Sequence, residues 1–158
     1  MATIDEARKA LDKFKGFLRL EALPKGAISD VSDPVTLDDI WVKQDYFPGC
    51  DNGSENAGVY FLFDVNGEII YVGKASNNNA IGHRLGTYFE TDPSDKTTWQ
   101  LSVSANHKFG KHPSPAAISV IVISDFEFAW IAPALEEYLI KKLHPVVNTV
   151  GKRKSENG

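Results

Sequence analysis

Apolar residues recur at helical spacing near the start of the chain and again near its far end. The first stripe, which predicts an amphipathic helix over roughly residues 3–20, consists of Ile4, Ala7, Leu11, Phe14 and Leu18. The second stripe follows Pro133, a residue favoured in the first turn of a helix, and ends near Leu143. Its members are Ala132, Leu135, Glu136, Leu139, Ile140 and Leu143.

Between these two helices the pattern changes to short apolar runs that are typical of β-strands. Residues 59–63 and 69–72 flank Asn66-Gly67, a strong hairpin signal, and residues 117–123 form a continuous apolar run suited to a buried strand. A short helix is predicted near residues 80–90, and residues 91–115 are predicted to be mostly irregular. We therefore expect an α+β (or α/β) fold, with a small central sheet of about three strands flanked by helices and an N-terminal helical extension.

The hairpin places two tyrosines on one face of the sheet. If Asn66-Gly67 is a two-residue turn, the facing pairs are Val65 with Glu68, Asp64 with Ile69, Leu62 with Tyr71, and Tyr60 with Gly73. Tyr60 and Tyr71 are then diagonal neighbours, and Gly73 leaves open space beside Tyr60. The residues expected on the opposite, core-facing side are Phe61, Phe63, Ile70 and Val72. Taken alone, the tyrosines are better explained as ordinary strand residues, because Tyr is common in strands.

Glu136 is the one charged member of the second helical stripe. A carboxylate facing a core is costly unless it is paired or bound to a metal. It lies in the first turn of the helix, where the helix dipole favours negative charge. Glu136 at the edge of the stripe, reaching water, is an equally good interpretation from this helix alone.

Length and composition agree with one ordinary globular domain of 158 residues, 42% hydrophobic and 24% charged. We divide the chain into an N-terminal helical extension (1–55), a core domain (56–150) and a basic, disordered tail (151–158). Cys50 is the single cysteine, so no internal disulfide can form. No signal peptide and no apolar run long enough to span a bilayer is found, which predicts a cytoplasmic protein without membrane contact.

The net charge of −4 by itself argues against a nucleic-acid partner. A bound divalent cation would weaken that argument, because it supplies local positive charge. The four histidines have no spacing that suggests zinc. The basic loop of residues 106–112 and the tail lysines are more easily explained as solvated segments than as nucleic-acid contacts.

The pattern Gly58-Val59-Tyr60, followed after ten residues by Tyr71-Val72-Gly73, resembles the paired signature of the GIY-YIG nucleases. The resemblance is nearest to the nuclease domain of the bacterial excision-repair protein UvrC. Its further elements are Lys74-Ala75, Arg84-Leu85, Tyr88-Phe89, Glu136 with Leu139-Ile140-Lys141, Pro145 and Asn148. It covers about residues 57–149 and departs from the family in extra residues around 77–79 and in the long stretch 91–115.

The resemblance implies a metal-dependent endonuclease that hydrolyses phosphodiester bonds in DNA. It implies that Tyr60 activates or positions the attacking water and that Tyr71 orients the water or the phosphate. Lys74, Arg84 or the metal would stabilise a phenolate, since a free tyrosine, with a pKa of about 10, is a poor base near neutrality.

The family pattern assigns further roles around the phosphate. Arg84 would neutralise the phosphate, and Glu136 would hold one Mg²⁺ or Mn²⁺ ion that stabilises the leaving oxygen. Lys74 and Tyr88 are expected to contact the phosphate, and Asn148 is expected to brace the substrate-binding site.

Two other functional classes stay open: a nucleic-acid-binding module that has lost the reaction, and a protein-interaction module. The intact set of Tyr60, Tyr71, Arg84 and Glu136 favours the enzyme. The apolar stripe of the first helix must be buried on the core or on a second copy, so the extension is a candidate for homodimer formation or for a recruiting protein. Target specificity and pathway (repair, restriction, mobile-element or anti-phage duty) are left open.

Overall fold

A computed structural model describes residues 1–18, 23–39, 55–76, 79–95 and 98–149. Within these ranges the chain has an α+β fold, as expected from the sequence. The elements, in chain order, are α1 (Ile4–Phe17), β1 (Val35–Thr36), β2 (Ala57–Phe63), β3 (Ile69–Ala75), α2 (Ile81–Gly86), β4 (Phe89–Thr91), β5 (Trp99–Leu101), α3 (Val103–Phe109), β6 (Ala117–Ile123), a 3-10 turn (Phe126–Phe128) and α4 (Ile131–Leu143).

The main sheet has the strand order β1-β6-β2-β3, and all its neighbouring strands are antiparallel. The three predicted strands are β2, β3 and β6. The short β1, from the N-terminal segment, adds a fourth strand at the edge. Every residue of β2 is buried, because this central strand is covered on both faces.

Each face of the sheet supports its own apolar cluster. Val59, Phe61 and Val72 pack with α1 and α4 on one face. Tyr60 and Tyr71 point to the other face, where apolar residues of α2, β4 and α3 cover them. The alternation of side chains along β2 therefore decides which residues lie near the functional candidates.

The β2–β3 turn differs from the predicted two-residue turn. The amide of Gly67 donates to the carbonyl of Asp64, Gly67 has a φ of 78°, and the amide of Asp64 donates to Glu68, so the loop has three residues. Phe63 consequently pairs with Ile69, whereas the prediction paired Asp64 with Ile69. The predicted pairing of Val65 with Glu68 is wrong for the same reason.

A β-bulge then restores the predicted register. Pairing shifts between Leu62 and Phe63, so Ile70 is the extra residue and Leu62 pairs with Tyr71. Tyr60 lies opposite Gly73, as predicted. The bulge also moves Ile70 to the tyrosine face, so its predicted place beside Phe61 and Val72 is wrong and Ile69 takes it. The longer loop and the bulge compensate each other, which keeps both tyrosines on one face.

Helix α1 packs on the same core as the sheet. Thr3 and Glu6 form a capping box at its start. Leu11 and Phe14 are buried in the cluster that contains α4, and the Phe14 and Tyr138 rings lie 5.4 Å apart. We expected this apolar stripe to be buried either on the core or on a second copy of the chain, and it packs on the core of the same chain.

The prediction of mostly irregular structure for residues 91–115 is wrong in part. The β4–β5 hairpin and α3 occupy much of this stretch. Phe89 packs edge-on against Trp99 at 5.4 Å, and the Ser102 side chain caps the start of α3. These elements are short and carry few apolar residues, so they leave little periodicity in the sequence.

Cys50 and the basic tail of residues 151–158 lie outside the described ranges. None of the helices in the described ranges has the length and apolar character needed to cross a membrane.

Replacing Leu11, which is 1% exposed, by Ala should lower the free energy of unfolding by about 2–5 kcal/mol, because the side chain leaves a cavity under α1. The exposed Lys13 on the same helix is the matched control, and Lys13→Ala should change stability by less than about 0.5 kcal/mol. Urea unfolding of both variants measures the difference. Equal stabilities would contradict the packing of α1 on the core.

Candidate active site

Three tyrosines from different elements meet at the end of the hairpin, and we call them the tyrosine cluster: Tyr60 on β2, Tyr71 on β3 and Tyr88 just before β4. Each pair of rings has centroids 6.1 Å apart. The Tyr60 hydroxyl donates to that of Tyr88 at 3.1 Å, and the hydroxyls of Tyr71 and Tyr88 are 3.4 Å apart. The sequence placed Tyr60 and Tyr71 together but did not place Tyr88 between their hydroxyls.

Gly73 provides the space that the Tyr60 ring occupies. A Cβ atom at Gly73 would overlap the Cζ and Oη atoms of Tyr60. The open space predicted beside Tyr60 is therefore filled by the tyrosine's own ring, which crosses the paired strand toward Tyr88. A residue with a side chain at position 73 would force the ring out of this position.

Among the residues that the structure describes, Lys108, near the end of α3, is the cation that hydrogen-bonds to the cluster. Its Nζ donates to the Tyr71 hydroxyl at 2.6 Å and to the Tyr88 hydroxyl at 3.3 Å. The same ammonium lies 3.9 Å from the centre of the Tyr71 ring. The sequence predicted a solvated loop here, and no local signal marks Lys108 as part of a site.

The three phenols have different proton affinities. Burial, followed by the neighbouring Tyr88 and Tyr71, raises the pKa of Tyr60, and the charge of Arg84 only partly opposes this. Burial and Tyr88 likewise raise the pKa of Tyr71. Burial would also raise the pKa of Tyr88, but hydrogen bonds from Tyr60 and Tyr71 and the ammonium of Lys108 outweigh it and hold that pKa below its usual value. Tyr88 is thus the tyrosine whose phenolate is favoured.

Glu136 reaches the site from α4. Its side chain is 20% exposed, and burial raises its pKa, although the charge of Lys74 opposes the shift. The Lys74 ammonium lies 3.7 Å from Oε2 of Glu136. Glu136 is thus half-buried and lies beside a cation, a position between the core-facing and the water-reaching interpretations.

A cleft of about 660 Å³ opens beside Glu136, and we call it the Glu136 cleft. Tyr71, Lys74, Lys108 and Asn148 lie in its wall. The other lining residues are Trp130, Pro133, Ala134, Glu136, Glu137, Ile140, Val147 and Thr149. Two lysines and two glutamates balance in charge, so the lining is less acidic than the whole chain.

Tyr60 and Arg84 lie behind the cleft and do not line it. Tyr60 has no exposed surface, so its hydroxyl reaches the cleft only through the other tyrosines. Arg84 is half-buried on α2, and its charge acts on Tyr60, whereas the charge of Glu136 acts on Tyr71. Of the four predicted catalytic residues, Tyr71 and Glu136 line the cleft, whereas Tyr60 and Arg84 act on it only through the tyrosine cluster.

Asn148 ties the segment after α4 to strand β3. Its Oδ1 accepts from the Val72 amide at 2.9 Å, and its Nδ2 donates to the Val72 carbonyl at 2.8 Å. These bonds hold β3 at the residue between Tyr71 and Gly73. The contacts fit the predicted bracing role.

The donor set suits a cation held by one carboxylate. In the part of the chain that the structure describes, no group of three or more His, Cys, Asp or Glu side chains could hold a metal. Mg²⁺ commonly keeps several waters and binds proteins through one or two carboxylates plus substrate phosphate. The half-buried carboxylate of Glu136 on an open cleft fits that mode of binding, and it does not fit an all-protein cage.

Comparison with known proteins gives a family match over residues 56–149, to the UvrC-like GIY-YIG domain. UvrABC system protein C of Dictyoglomus thermophilum is 36% identical over 98 residues, which is 62% of this chain and 13% of that protein. The protein of the same name from Rickettsia felis is 39% identical over 94 residues, which is 60% of this chain and 12% of that protein. The match therefore spans only about an eighth of the length of these relatives.

Gly73→Ala should displace the Tyr60 ring and lower the free energy of unfolding by about 1–3 kcal/mol, since the new methyl group overfills the core. Gly86→Ala, at the end of α2, is the matched control, because a Cβ there has nothing within 4 Å. Thermal melts of both variants give the comparison. A Gly73→Ala protein as stable as the Gly86→Ala protein would show that the ring does not need this space.

Proposed function

We propose, since the chain belongs to the family of UvrC-like GIY-YIG domains, that it is a nuclease domain that hydrolyses phosphodiester bonds in DNA with one divalent cation. The observation that carries this proposal is the tyrosine cluster, which opens through Tyr71 onto a cleft that contains Glu136, Lys74 and Lys108. Phosphodiester hydrolysis needs a proton acceptor for water, cations near the phosphate and a site for the metal. This cleft offers a candidate for each.

Tyr71 is the tyrosine that reaches the cleft, so we assign it the contact with the attacking water. Tyr88 takes part as the phenolate. The water proton passes to the Tyr71 oxygen as the Tyr71 proton passes to the Tyr88 oxygen, which is 3.4 Å away. The water oxygen bonds to phosphorus, the bond from phosphorus to the 3′ oxygen breaks, and that oxygen keeps the electron pair and takes a proton from solvent. Tyr60, which has no exposed surface, acts behind them by donating to Tyr88.

Glu136 is assigned as the ligand of one Mg²⁺ or Mn²⁺ ion, which supplies a Lewis acid for the leaving oxygen when bound. Lys74 orients the Glu136 carboxylate from 3.7 Å and contacts the phosphate. Arg84 adds positive charge on the far side of the tyrosine cluster, where it acts on Tyr60. Asn148 keeps Val72, and with it Tyr71, in place.

Glu136→Gln should lower the cleavage rate by about 100-fold or more while the protein stays folded, because the amide keeps the shape and loses the charge that holds the cation. Glu127→Gln, at an exposed residue of the 3-10 turn before α4 that does not line the cleft, makes the same change in net charge and should cleave like the wild type. Both are assayed with Mg²⁺ or Mn²⁺ on duplex, branched, nicked and single-stranded DNA.

Cleavage by Glu136→Gln at the wild-type rate would remove Glu136 from the metal site. A wild-type protein that binds these DNAs but cuts none of them with either cation would instead indicate a binding module. The same substrates distinguish sequence-specific from structure-specific cleavage, on which the choice between repair and restriction depends.

A further inference from the structure

We propose that Lys108 is a positioning residue of this site, which holds the two phenolic oxygens through which the proton of the attacking water leaves. The proposal rests on the proposed nuclease function. It assigns this task to α3, which lies in the stretch 91–115 where the sequence departs from the family pattern. The family resemblance implied Lys74, Arg84 or the metal as the group that stabilises a phenolate.

The aromatic neighbour of Lys108 fixes the position of α3 against the cluster. Phe109 is 1% exposed and packs edge-on against Tyr71 at 5.7 Å and against Tyr88 at 6.0 Å. Ser102 caps the other end of the helix and donates to the carbonyl of Thr87, next to Tyr88. Lys108 therefore approaches the tyrosines from a helix anchored at both ends.

The hydrogen bonds of Lys108 are made to phenolic oxygens. Within the described ranges its ammonium has no carboxylate within 4.0 Å, whereas Lys74 lies 3.7 Å from Glu136. Hydrogen bonds with an ionised donor are shorter than those between neutral groups, and the bond from the Lys108 ammonium to the Tyr71 hydroxyl is short, at 2.6 Å. Lys74 thus pairs with the carboxylate, whereas Lys108 hydrogen-bonds to the tyrosines and acts on Glu136 only through its charge.

Among the described residues, Lys108 is the cation that hydrogen-bonds to the Tyr88 oxygen. Tyr60 approaches from β2, Tyr71 from β3 and Lys108 from α3. The charges farther away are those of Arg84 on α2, Lys74 on β3 and Glu136 on α4. The lowered pKa of Tyr88 agrees with this arrangement, since the Lys108 ammonium favours the phenolate.

Lys108→Met and Lys108→Arg test the proposal, with Lys111→Met as the control. Lys111 is exposed and lies just beyond α3, so its loss changes net charge equally. We expect Lys108→Met to lower the single-turnover cleavage rate at saturating DNA by roughly 10- to 100-fold, with DNA affinity changed by less than about 3-fold. Lys108→Arg keeps the positive charge and should recover most of the rate, and Lys111→Met should behave as the wild type.

A Lys108→Met protein that loses DNA affinity but keeps its rate at saturation would overturn the proposal, since Lys108 would then be a phosphate contact. Recovery of the rate by Lys108→Gln as fully as by Lys108→Arg would overturn it too, because the charge would be dispensable. If the Met variant fails to fold, the comparison of Gln with Arg decides.

Ultraviolet titration of tyrosine ionisation in the metal-free full chain gives a test that does not need cleavage. In the wild type, Tyr88 should ionise at lower pH than Tyr60 and Tyr71, and Tyr88→Phe should remove its transition. Lys108→Met should move the transition to higher pH. A transition that Lys108→Met does not move overturns the proposal even if the wild type cuts DNA. If Lys108→Met moves the transition but the wild type cuts none of the DNAs, the contact is supported and the nuclease function is refuted.

Discussion

The pairing of β2 with β3 is the constraint on which the rest of the site depends. It sets Tyr60 opposite Gly73 and Leu62 opposite Tyr71, so both phenols leave the sheet on one face. A shift of one residue would move one strand's side chains to the opposite face. The three-residue loop and the bulge at Ile70 show that the chain accommodates local irregularity while it keeps this register. The absence of a side chain at Gly73 then lets the Tyr60 ring reach Tyr88.

Burial and nearby charges give residues of the same type different chemical properties in this site. The three tyrosines share one environment, yet burial makes Tyr60 and Tyr71 harder to ionise, whereas two donated hydrogen bonds and an ammonium make Tyr88 easier to ionise. Groups with separated proton affinities at hydrogen-bond distance are what a proton transfer requires. Lys74 and Lys108 likewise differ in their partners, since Lys74 pairs with Glu136 and Lys108 hydrogen-bonds to Tyr71 and Tyr88. The lining of the Glu136 cleft is neutral, with two lysines and two glutamates, although the whole chain carries a net charge of −4.

The segment before residue 56 contributes to the fold more than its lack of family motifs suggested. Helix α1 buries Leu11 and Phe14 in the cluster that also holds α4, the helix that carries Glu136. The short β1 pairs with β6 at the edge of the sheet. This packing satisfies the apolar stripe within one chain, so a homodimer or a recruiting partner, if either binds the extension, must use other surfaces of it.

The sequence by itself determined the features that depend on local periodicity. Alternation on residues 59–63 puts Tyr60 on its face and the helical stripe turns Glu136 toward the sheet, because strand and helix geometry fix side-chain direction. Tyr71 keeps its predicted face because the bulge at Ile70 offsets the longer loop. Tertiary structure alone decided that Tyr88 links the other two tyrosines and that Lys108 joins them. Lys108 and Tyr71 are 37 positions apart, and α3 is a seven-residue helix in a polar stretch. Such a contact forms only when Phe109 packs on the tyrosine face, and this long-range packing has no local pattern in the sequence.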